Sequence, residues 1–397
     1  MDSERDFQPL TPAPSANWVG AWYAAPLHMP SATLSCRTLR QIVYLHAGGE
    51  QIRLRLSNRY GDKPITLRSI SVGQVLTGSS LHEGSRPVLF QGQTTLSLQP
   101  GQEVVSDPMV FRVEAFTNLA ITFFIAQGES VTGHLSAMQT SYVSGLGDVS
   151  AAPAEAALFV YPLMTSCWWI ITGIDVLPAA PLNAVVALGS SVTDGFGSTA
   201  DMNRRWPDYL AYRLEDAGGT RVMSVLNAGI SGNQLTTSEV PQFAGAGVPR
   251  FLFGEAGRQR LAWDVLEQPG ATDLIVHIGS NDLRFGIAGE ALIQSFQQVV
   301  RQARTRYQKV FGTTILPGGY LPEQVEQRQL VNTWMREQGG QWFDAVFDFA
   351  TPLCSPEDEA RLNPAYDSGD GTHPNDQGYQ LMAAAVDISQ LTGSPGQ

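Results

Sequence analysis

The hydrophobic pattern of this chain changes at a proline-rich segment, residues 177–181. Before it, short runs of strand-forming residues alternate with clusters of Gly, Pro, Asn and Asp, and no stretch has a convincing helical period. After it, apolar strand candidates alternate with helical stretches. Because a stiff linker separates two different periodicities, the sequence predicts an all-β domain followed by an α/β domain.

The first half has the pattern of an antiparallel β-sandwich. Apolar and polar residues alternate at 40–45 and 51–57 on either side of Gly48-Gly49, which predicts a hairpin with one solvent-exposed face. Further strand candidates are 65–72, 94–98, 109–113, 119–126 and 166–174. Many short strands at close spacing predict a sandwich over residues 17–177. Residues 1–16, with three prolines among small and polar residues, are expected to form a flexible tail.

The second half, residues 182–393, has the pattern of a three-layer α/β sandwich. Its strand candidates are 184–189, 221–227, 273–279, 309–316 and 345–349. Its helical candidates are about 204–217, 256–267, 290–307, 322–338 and 376–389. Strands that alternate with helices pair in parallel through right-handed crossovers, which predicts a five-stranded parallel sheet with helices on both faces.

The composition narrows the class of protein. A chain of 397 residues with 43% hydrophobic residues can form a packed core in each of two domains. Its net charge of −12 disfavours a nucleic-acid partner, because phosphate recognition requires a basic surface. The three cysteines, Cys36, Cys167 and Cys354, are odd in number and widely spaced, so neither a disulfide framework nor a structural zinc site is expected.

The pattern of hydropathy does not predict a membrane protein. No apolar run reaches the length of a membrane span, and the polar N-terminus has no apolar signal segment. The sequence as written therefore favours a cytoplasmic protein. Removal of a signal peptide would leave the same sequence, so a secreted or periplasmic location stays open, as does the oligomeric state.

Two separated motifs suggest a chemistry. The apolar run 184–188 ends in Gly189-Ser190-Ser191, which places a serine at the carboxyl edge of the sheet, where open α/β folds bind their ligands. Near the C-terminus, Asp370 and His373 lie three residues apart in a Gly-rich loop. Either motif alone is most often an ordinary turn. Together they suggest a serine nucleophile served by a histidine and an aspartate.

Two further motifs complete an ordered set of four blocks. The blocks are Gly189-Ser190-Ser191-Val192, then residues 227–233 (Asn-Ala-Gly-Ile-Ser-Gly-Asn), then 279–282 (Gly-Ser-Asn-Asp), then Asp370-x-x-His373-Pro374. In this order they resemble the GDSL, or SGNH, hydrolase superfamily over about residues 183–390. The first half also resembles the β-sandwich that precedes this domain in one bacterial and fungal subgroup. The resemblance implies a flavodoxin-like α/β/α fold and a serine ester hydrolase.

The resemblance assigns a role to each block. It makes Ser191 the nucleophile, His373 the general base and Asp370 the residue that orients the imidazole. It forms the oxyanion hole from the backbone N–H groups of Ser191 and Gly232 and the side-chain amide of Asn281. We expect glycine at 232 because a β-carbon there would crowd the oxyanion. No metal or organic cofactor is implied.

One position departs from the family pattern. The first block of the family reads Gly-Asp-Ser, and here the acidic position is Ser190. The family gives that aspartate no role as nucleophile, base or oxyanion donor, so the mechanism is retained, although the turn geometry and the pKa of His373 are open to change. The alignment of Gly189, Thr193 and Asp194 selects Ser191 rather than Ser190 as the nucleophile.

The expected substrates are carboxylic esters with short acyl or acetyl groups on sugars or small molecules. Three alternatives stay open: an acyltransferase that uses the same serine, a non-catalytic glycan-binding protein with a degenerate site, and a hydrolase of amides or thioesters. The β-sandwich is expected either to shape one wall of the cleft or to bind a glycan. Asp282 is read as a helix-capping or structural acid. Four tryptophans could form a sugar-stacking surface, but buried positions in the sandwich are favoured: Trp18, Trp22, Trp168 and Trp169. The remaining histidines are read as buried core residues, namely His28, His46, His82, His134 and His277.

Overall fold

The structure of the chain is a computed structural model. It describes residues 17–30, 34–82, 85–129, 132–152, 158–159, 161–164, 167–239 and 253–395, with 161–164 described as backbone. The predicted tail, residues 1–16, lies outside the described residues.

In the part of the first half that the structure describes, antiparallel strands form three sheets, and the prediction of an antiparallel β-sandwich is confirmed. One sheet has the order β1 (Val19–Tyr23), β16 (Ile171–Leu177), β4 (Gly49–Ser57) and β10 (Met109–Val113), with β9 (Glu103–Val105) also paired to β4. The facing sheet has the order β14 (Tyr161–Met164), β13 (Ser141–Leu146), β3 (Arg37–Tyr44), β11 (Asn118–Gln127), β5 (Ile65–Thr77) and β6 (Ser80–Leu81), with β7 (Arg86–Pro87) and β8 (Thr95–Leu98) also paired to β5. A small sheet has the order β15 (Trp168–Trp169), β12 (Thr132–His134) and β2 (Leu27–His28).

The hairpin predicted around Gly48-Gly49 is wrong. Strands β3 and β4 lie in different sheets, because β3 pairs with β11 and β13 whereas β4 pairs with β10 and β16. A β-carbon at Gly48 would lie 2.8 Å from the carbonyl oxygen of Val113, and one at Gly49 would lie 2.6 Å from that of Leu177. The two glycines therefore allow the chain to cross closely between the sheets, which an alternating pattern alone does not reveal.

The second half contains the predicted five-stranded parallel sheet. Its order is β18 (Met223–Gly229), β17 (Asn183–Gly189), β19 (Ala271–His277), β20 (Lys309–Thr313) and β21 (Ala345–Phe347). The longer helices are α2 (Trp206–Ala217), α3 (Gly257–Asp264), α5 (Gly289–Ala303), α6 (Pro322–Gln338) and α7 (Asp376–Ala385), and two short ones are α1 (Ser191–Asp194) and α4 (Ser280–Arg284).

The helices form two layers. Helix α2 packs against α7 on one face of the sheet, and α5 packs against α3 and α6 on the other. The order 2-1-3-4-5 is that of a flavodoxin-like sheet, and its switch point lies between β17 and β19. The loops that follow β17, β18 and β19 therefore open at the same carboxyl edge, where this fold binds ligands.

The first half covers the edge strand of the parallel sheet. Strand β1 lies against β18, where the Ser224 hydroxyl donates to the Gly20 carbonyl at 2.6 Å, and Ala24 forms a parallel bridge with Asn227. The apolar core of the sandwich is continuous with the core on one face of the α/β sheet. The contact is thus built from backbone pairing and shared core, and it brings the sandwich close to the second motif.

Candidate active site

The proposed nucleophile lies at the turn between β17 and α1. Ser191 is the first residue of α1, and 6% of its surface is exposed. The Ser190 carbonyl accepts hydrogen bonds from the amides of Thr193 (3.0 Å) and Asp194 (2.8 Å), which closes the turn. Gly195 ends the helix with φ of +99°, a conformation that favours glycine. The Ser191 side chain is thereby held at the carboxyl edge of the sheet.

The structure brings His373 and Asp370 to this serine. His373 Nε2 lies 2.8 Å from Ser191 Oγ, and His373 Nδ1 lies 2.6 Å from Asp370 Oδ2. The other oxygen of Asp370 accepts the amides of Thr372 and His373, each at 2.8 Å. The Asp370 carboxylate can only accept a hydrogen bond, so Nδ1 of His373 carries the proton that is donated to it. Nε2 is then unprotonated and accepts a hydrogen bond from the Ser191 hydroxyl. The three side chains form one hydrogen-bonded chain.

The pKa of His373 is lowered from its usual value. Burial is the main cause, and the charge of Arg284 acts in the same direction, while the hydrogen bond and charge of Asp370 oppose them. Partial burial alone would raise the pKa of Asp370, but hydrogen bonds from His373 and the Thr372 amide lower it overall. A neutral imidazole beside an ionised carboxylate is the state that a general base requires at neutral pH.

Gly232 lies in the loop that follows β18. Its φ is +80°, and a β-carbon there would overlap the ring of Phe253. Backbone conformation and the packed Phe253 ring therefore require glycine at this position. That a β-carbon at 232 would also crowd an oxyanion stays a prediction.

Asn281 lies in α4, just after β19. Its side-chain amide is buried and donates to the Asn233 carbonyl at 2.9 Å. Asn233 follows Gly232 directly, so this bond joins the third motif to the second. An amide nitrogen has two N–H groups, and one bond to a carbonyl leaves the second available to a ligand.

Two buried ionic side chains support these loops. Asp282 accepts the amides of Leu235 and Thr236, each at 2.8 Å, and burial raises its pKa; it is a structural acid, as predicted. Arg260, 1% exposed, donates to the Gly189 carbonyl (2.9 Å), to Asn233 Oδ1 (3.0 Å) and to Asp264 (2.9 Å).

Arg260 links the first and second motifs, a role that the sequence pattern does not indicate. An arginine and an acid four residues apart on a helix predict a pair, and no local pattern indicates the other two bonds.

Several predictions for histidines and tryptophans are confirmed. His277 is buried, donates from Nδ1 to Thr313 Oγ1 at 2.7 Å, and has its pKa lowered by burial to about 3. His46 and His134 are also buried. The prediction is wrong for His82, which is exposed, and His28 is half-buried. The four tryptophans are buried in the core of the sandwich rather than exposed as a sugar-stacking surface: Trp18, Trp22, Trp168 and Trp169.

Two features lie near the proposed catalytic residues. A cavity of about 10 Å³, about the room of one water molecule, is lined in part by the chain neighbours of Ser191, Asn281 and His373. The ring of Phe196, 45% exposed, has its centre 4.7 Å from that of His373. The cavity is lined by Val192, His277, Ile278, Ser280, Arg284, Ile315, Leu316, Tyr320 and Thr372.

Comparisons with known proteins agree with the motifs. Residues 187–381 match the model of the GDSL-like lipase/acylhydrolase family. No curated protein matches the sequence.

Similar solved structures include a GDSL-like lipase from Bacteroides thetaiotaomicron, 20% identical over 52% of this chain and 87% of that chain, with a TM-score of 0.37. A family two carbohydrate esterase from Clostridium thermocellum in complex with cellohexaose is 13% identical over 91% of both chains, with a TM-score of 0.39. A variant of an acetyl xylan esterase from Geobacillus stearothermophilus is 16% identical over 54% of this chain and 97% of that chain, with a TM-score of 0.39.

Fold and family match together place the protein in a class, the ester hydrolases with a flavodoxin-like α/β/α domain. Within that class, residues 187–381 form a GDSL-like lipase/acylhydrolase domain of the SGNH superfamily.

Proposed function

We propose that the protein hydrolyses carboxylic esters of short acyl groups through a covalent acyl-enzyme on Ser191. The observation that carries this proposal is the continuous chain of hydrogen bonds from the Asp370 carboxylate through His373 to the Ser191 hydroxyl. A serine hydroxyl is a weak nucleophile until a neighbouring base removes its proton, and this chain supplies the base.

The reaction has two halves. His373 Nε2 takes the hydroxyl proton as Ser191 Oγ attacks the ester carbonyl, and then delivers it to the departing alcohol. Water attacks the resulting acyl-enzyme with His373 again as base, which releases the acid and frees Ser191. Asp370 keeps the proton on Nδ1, so that Nε2 faces the serine, and stabilises the imidazolium that forms twice in each cycle.

The tetrahedral intermediates carry a negative oxygen. We assign its stabilisation to the backbone N–H groups of Ser191 and Gly232 and to the second N–H of the Asn281 amide. The bond from Asn281 to the Asn233 carbonyl supports this assignment, because it fixes the amide beside the Gly232 loop before substrate arrives. Donors that need no rearrangement stabilise developing charge most effectively.

The cavity and the Phe196 ring suggest the substrate. We assign the cavity of about 10 Å³ to the acyl group, because Val192, Ser280 and Thr372 in its lining directly neighbour Ser191, Asn281 and His373 in the chain. A cavity with the room of about one water molecule favours the smallest acyl group, acetyl. We assign the alcohol side to the exposed Phe196 ring, which lies against His373, where the leaving oxygen receives its proton.

A fluorophosphonate probe tests the proposal, because it phosphonylates an activated serine. The wild-type protein is expected to be labelled at Ser191, and Ser191→Ala is expected to abolish both labelling and hydrolysis of p-nitrophenyl acetate. Ser190→Ala is the matched control, since it removes a hydroxyl one residue away and should retain labelling. Labelling that survives Ser191→Ala but not Ser190→Ala would refute the assignment of the nucleophile.

A further inference from the structure

A buried histidine of the first half reaches the base of the proposed active site. His134, on β12, is 3% exposed. Its Nδ1 lies 2.9 Å from the Ala25 carbonyl oxygen, and its Nε2 lies 2.8 Å from a carboxylate oxygen of Asp194. A carbonyl and a carboxylate both accept hydrogen bonds, so both ring nitrogens carry protons. The side chain is therefore an imidazolium.

The charges around His134 favour this state. Burial alone would lower its pKa, but the charge of Asp194 and the hydrogen bonds to Asp194 and Ala25 outweigh burial and raise the pKa, with Arg205 in opposition. His134 and Asp194 line a cavity of about 20 Å³ between the two halves of the chain, and His46 and Asp208 also line this cavity. Asp194 is the acid that His134 contacts directly.

Asp194 connects the two loops that the reaction needs. It is the last residue of α1, which begins with Ser191. Its second carboxylate oxygen accepts the backbone N–H of Ser231 at 2.8 Å and the Ser231 hydroxyl at 2.7 Å. Ser231 directly precedes Gly232. One carboxylate thus sets the position of the proposed nucleophile turn relative to a proposed oxyanion donor.

The first motif contains no second acidic residue that could join the nucleophile turn to Ser231. Ser190 stands where the family pattern has an aspartate, and Asp194 is the acidic residue of the segment 184–197. A buried carboxylate needs a partner for its charge, since an unpaired one is strongly unfavourable. Here that partner is His134, from the other half of the chain.

We propose that His134 is a positioning residue of the esterase, which acts through Asp194 and Ser231 on the oxyanion loop. The first half of the chain is then part of the catalytic unit rather than only a wall or a glycan-binding attachment. This inference rests on the proposed function, because it concerns the hole that stabilises the intermediate formed on Ser191.

A pair of substitutions separates positioning from plain stability. The amide nitrogen of asparagine overlays Nδ1 of histidine, so His134→Asn retains the bond to Ala25 and loses the bond to Asp194. The longer glutamine overlays Nε2, so His134→Gln retains a donor to Asp194. His46→Asn is the matched control, because His46 also joins the two halves, donating to the Val225 carbonyl (2.7 Å) and to Asp208 (3.0 Å).

The readouts are the rate of fluorophosphonate labelling and the separate kcat and KM for p-nitrophenyl acetate in the full chain. We expect His134→Asn to lower the labelling rate and kcat by about 10- to 100-fold, the effect of a displacement of about 1 Å at a reacting centre, with KM changed less than about 3-fold. We expect His134→Gln to restore most of the rate and His46→Asn to remain within about 3-fold of wild type.

Equal losses in His134→Asn and His134→Gln, or in His134→Asn and His46→Asn, would overturn the inference, and so would an unchanged labelling rate in folded His134→Asn. If His134→Asn does not fold, Ser231→Ala takes its place. Loss of that one hydroxyl bond to Asp194 should slow labelling by about 3- to 10-fold, and no change would be contrary. Failure of the wild type to label at Ser191 would instead refute the proposed function.

Discussion

Replacement of Asn281 by alanine gives the sharpest test of the proposed oxyanion hole. The Asn281 amide donates one N–H to the Asn233 carbonyl at 2.9 Å, and we assign the other to the oxyanion. Loss of one such donor typically costs about 10²- to 10³-fold in kcat, which corresponds to about 2.7–4 kcal/mol of transition-state stabilisation. Because the donor acts on charge that develops only during the reaction, KM should change little.

The effect of Asn281→Ala on stability should be smaller. The variant leaves the buried Asn233 carbonyl without the Asn281 donor, which costs about 1–3 kcal/mol. For a domain of this size that lowers the Tm by about 2–12 °C. The protein therefore stays folded at 25 °C, where p-nitrophenyl acetate hydrolysis gives kcat and KM separately.

A control variant distinguishes lost catalysis from lost structure. Asn58 is also buried, and its amide donates to backbone carbonyls within the sandwich, including that of Lys63 at 3.0 Å. Asn58→Ala should lower the Tm by at least as much, because the Asn58 amide also donates to the carbonyls of Leu98 and Gln99, and should leave kcat within about 2-fold. A kcat for Asn281→Ala within 5-fold of wild type, or equal losses in both variants, would refute the assignment of Asn281 to the hole.

Three further predictions concern pH and specificity. Because the base must be neutral and the pKa of His373 is lowered from 6.5, the acid limb of kcat/KM should lie below pH 6.5, and a limb above that value in a pH-rate profile would contradict the proton assignment. His134 has a raised pKa in the folded state, so its stabilisation is complete below about pH 6.5 and is lost as pH rises through the folded value; thermal melts should show a steeper alkaline decline in wild type than in His134→Asn. Ile315 lines the proposed acyl cavity, so Ile315→Ala should raise kcat/KM for p-nitrophenyl butyrate relative to acetate, and an unchanged ratio would place the acyl group elsewhere.

Features set by local pattern could be predicted from the sequence. The helix predicted at 322–338 coincides with α6, because Pro322 favours a helix start and Gly339 follows its end. The strand predicted at 309–316 ends earlier, at Thr313, and the chain then turns so that the Thr314 hydroxyl bonds Asp348 at 2.8 Å. A side-chain hydrogen bond between distant segments cannot be predicted from the hydrophobic periodicity.

The residues of the site also fall into those that the sequence predicts and those that it does not. Ser191, His373 and Asp370 could be proposed because serine, histidine and aspartate in ordered blocks carry a recognisable chemistry, and the structure places them within hydrogen-bond distance. The partnership of His134 with Asp194 could not, because no local rule joins residues 60 positions apart in different domains. The prediction of a hairpin at Gly48 is wrong for a related reason, because the alternation of apolar and polar residues identifies a strand but not the strand that pairs with it.

The contact of β1 with β18 has a consequence for any attempt to separate the two halves. Strand β18 ends the parallel sheet, and in the intact chain β1, Ala24 and the ring of His46 occupy its outer side. In an excised C-terminal fragment, β18 would be an exposed edge strand with unpaired peptide groups, and part of the shared apolar core would be exposed to solvent. Other copies of the fragment could then pair with this strand. We therefore expect such a truncation to aggregate rather than to give a minimal working enzyme.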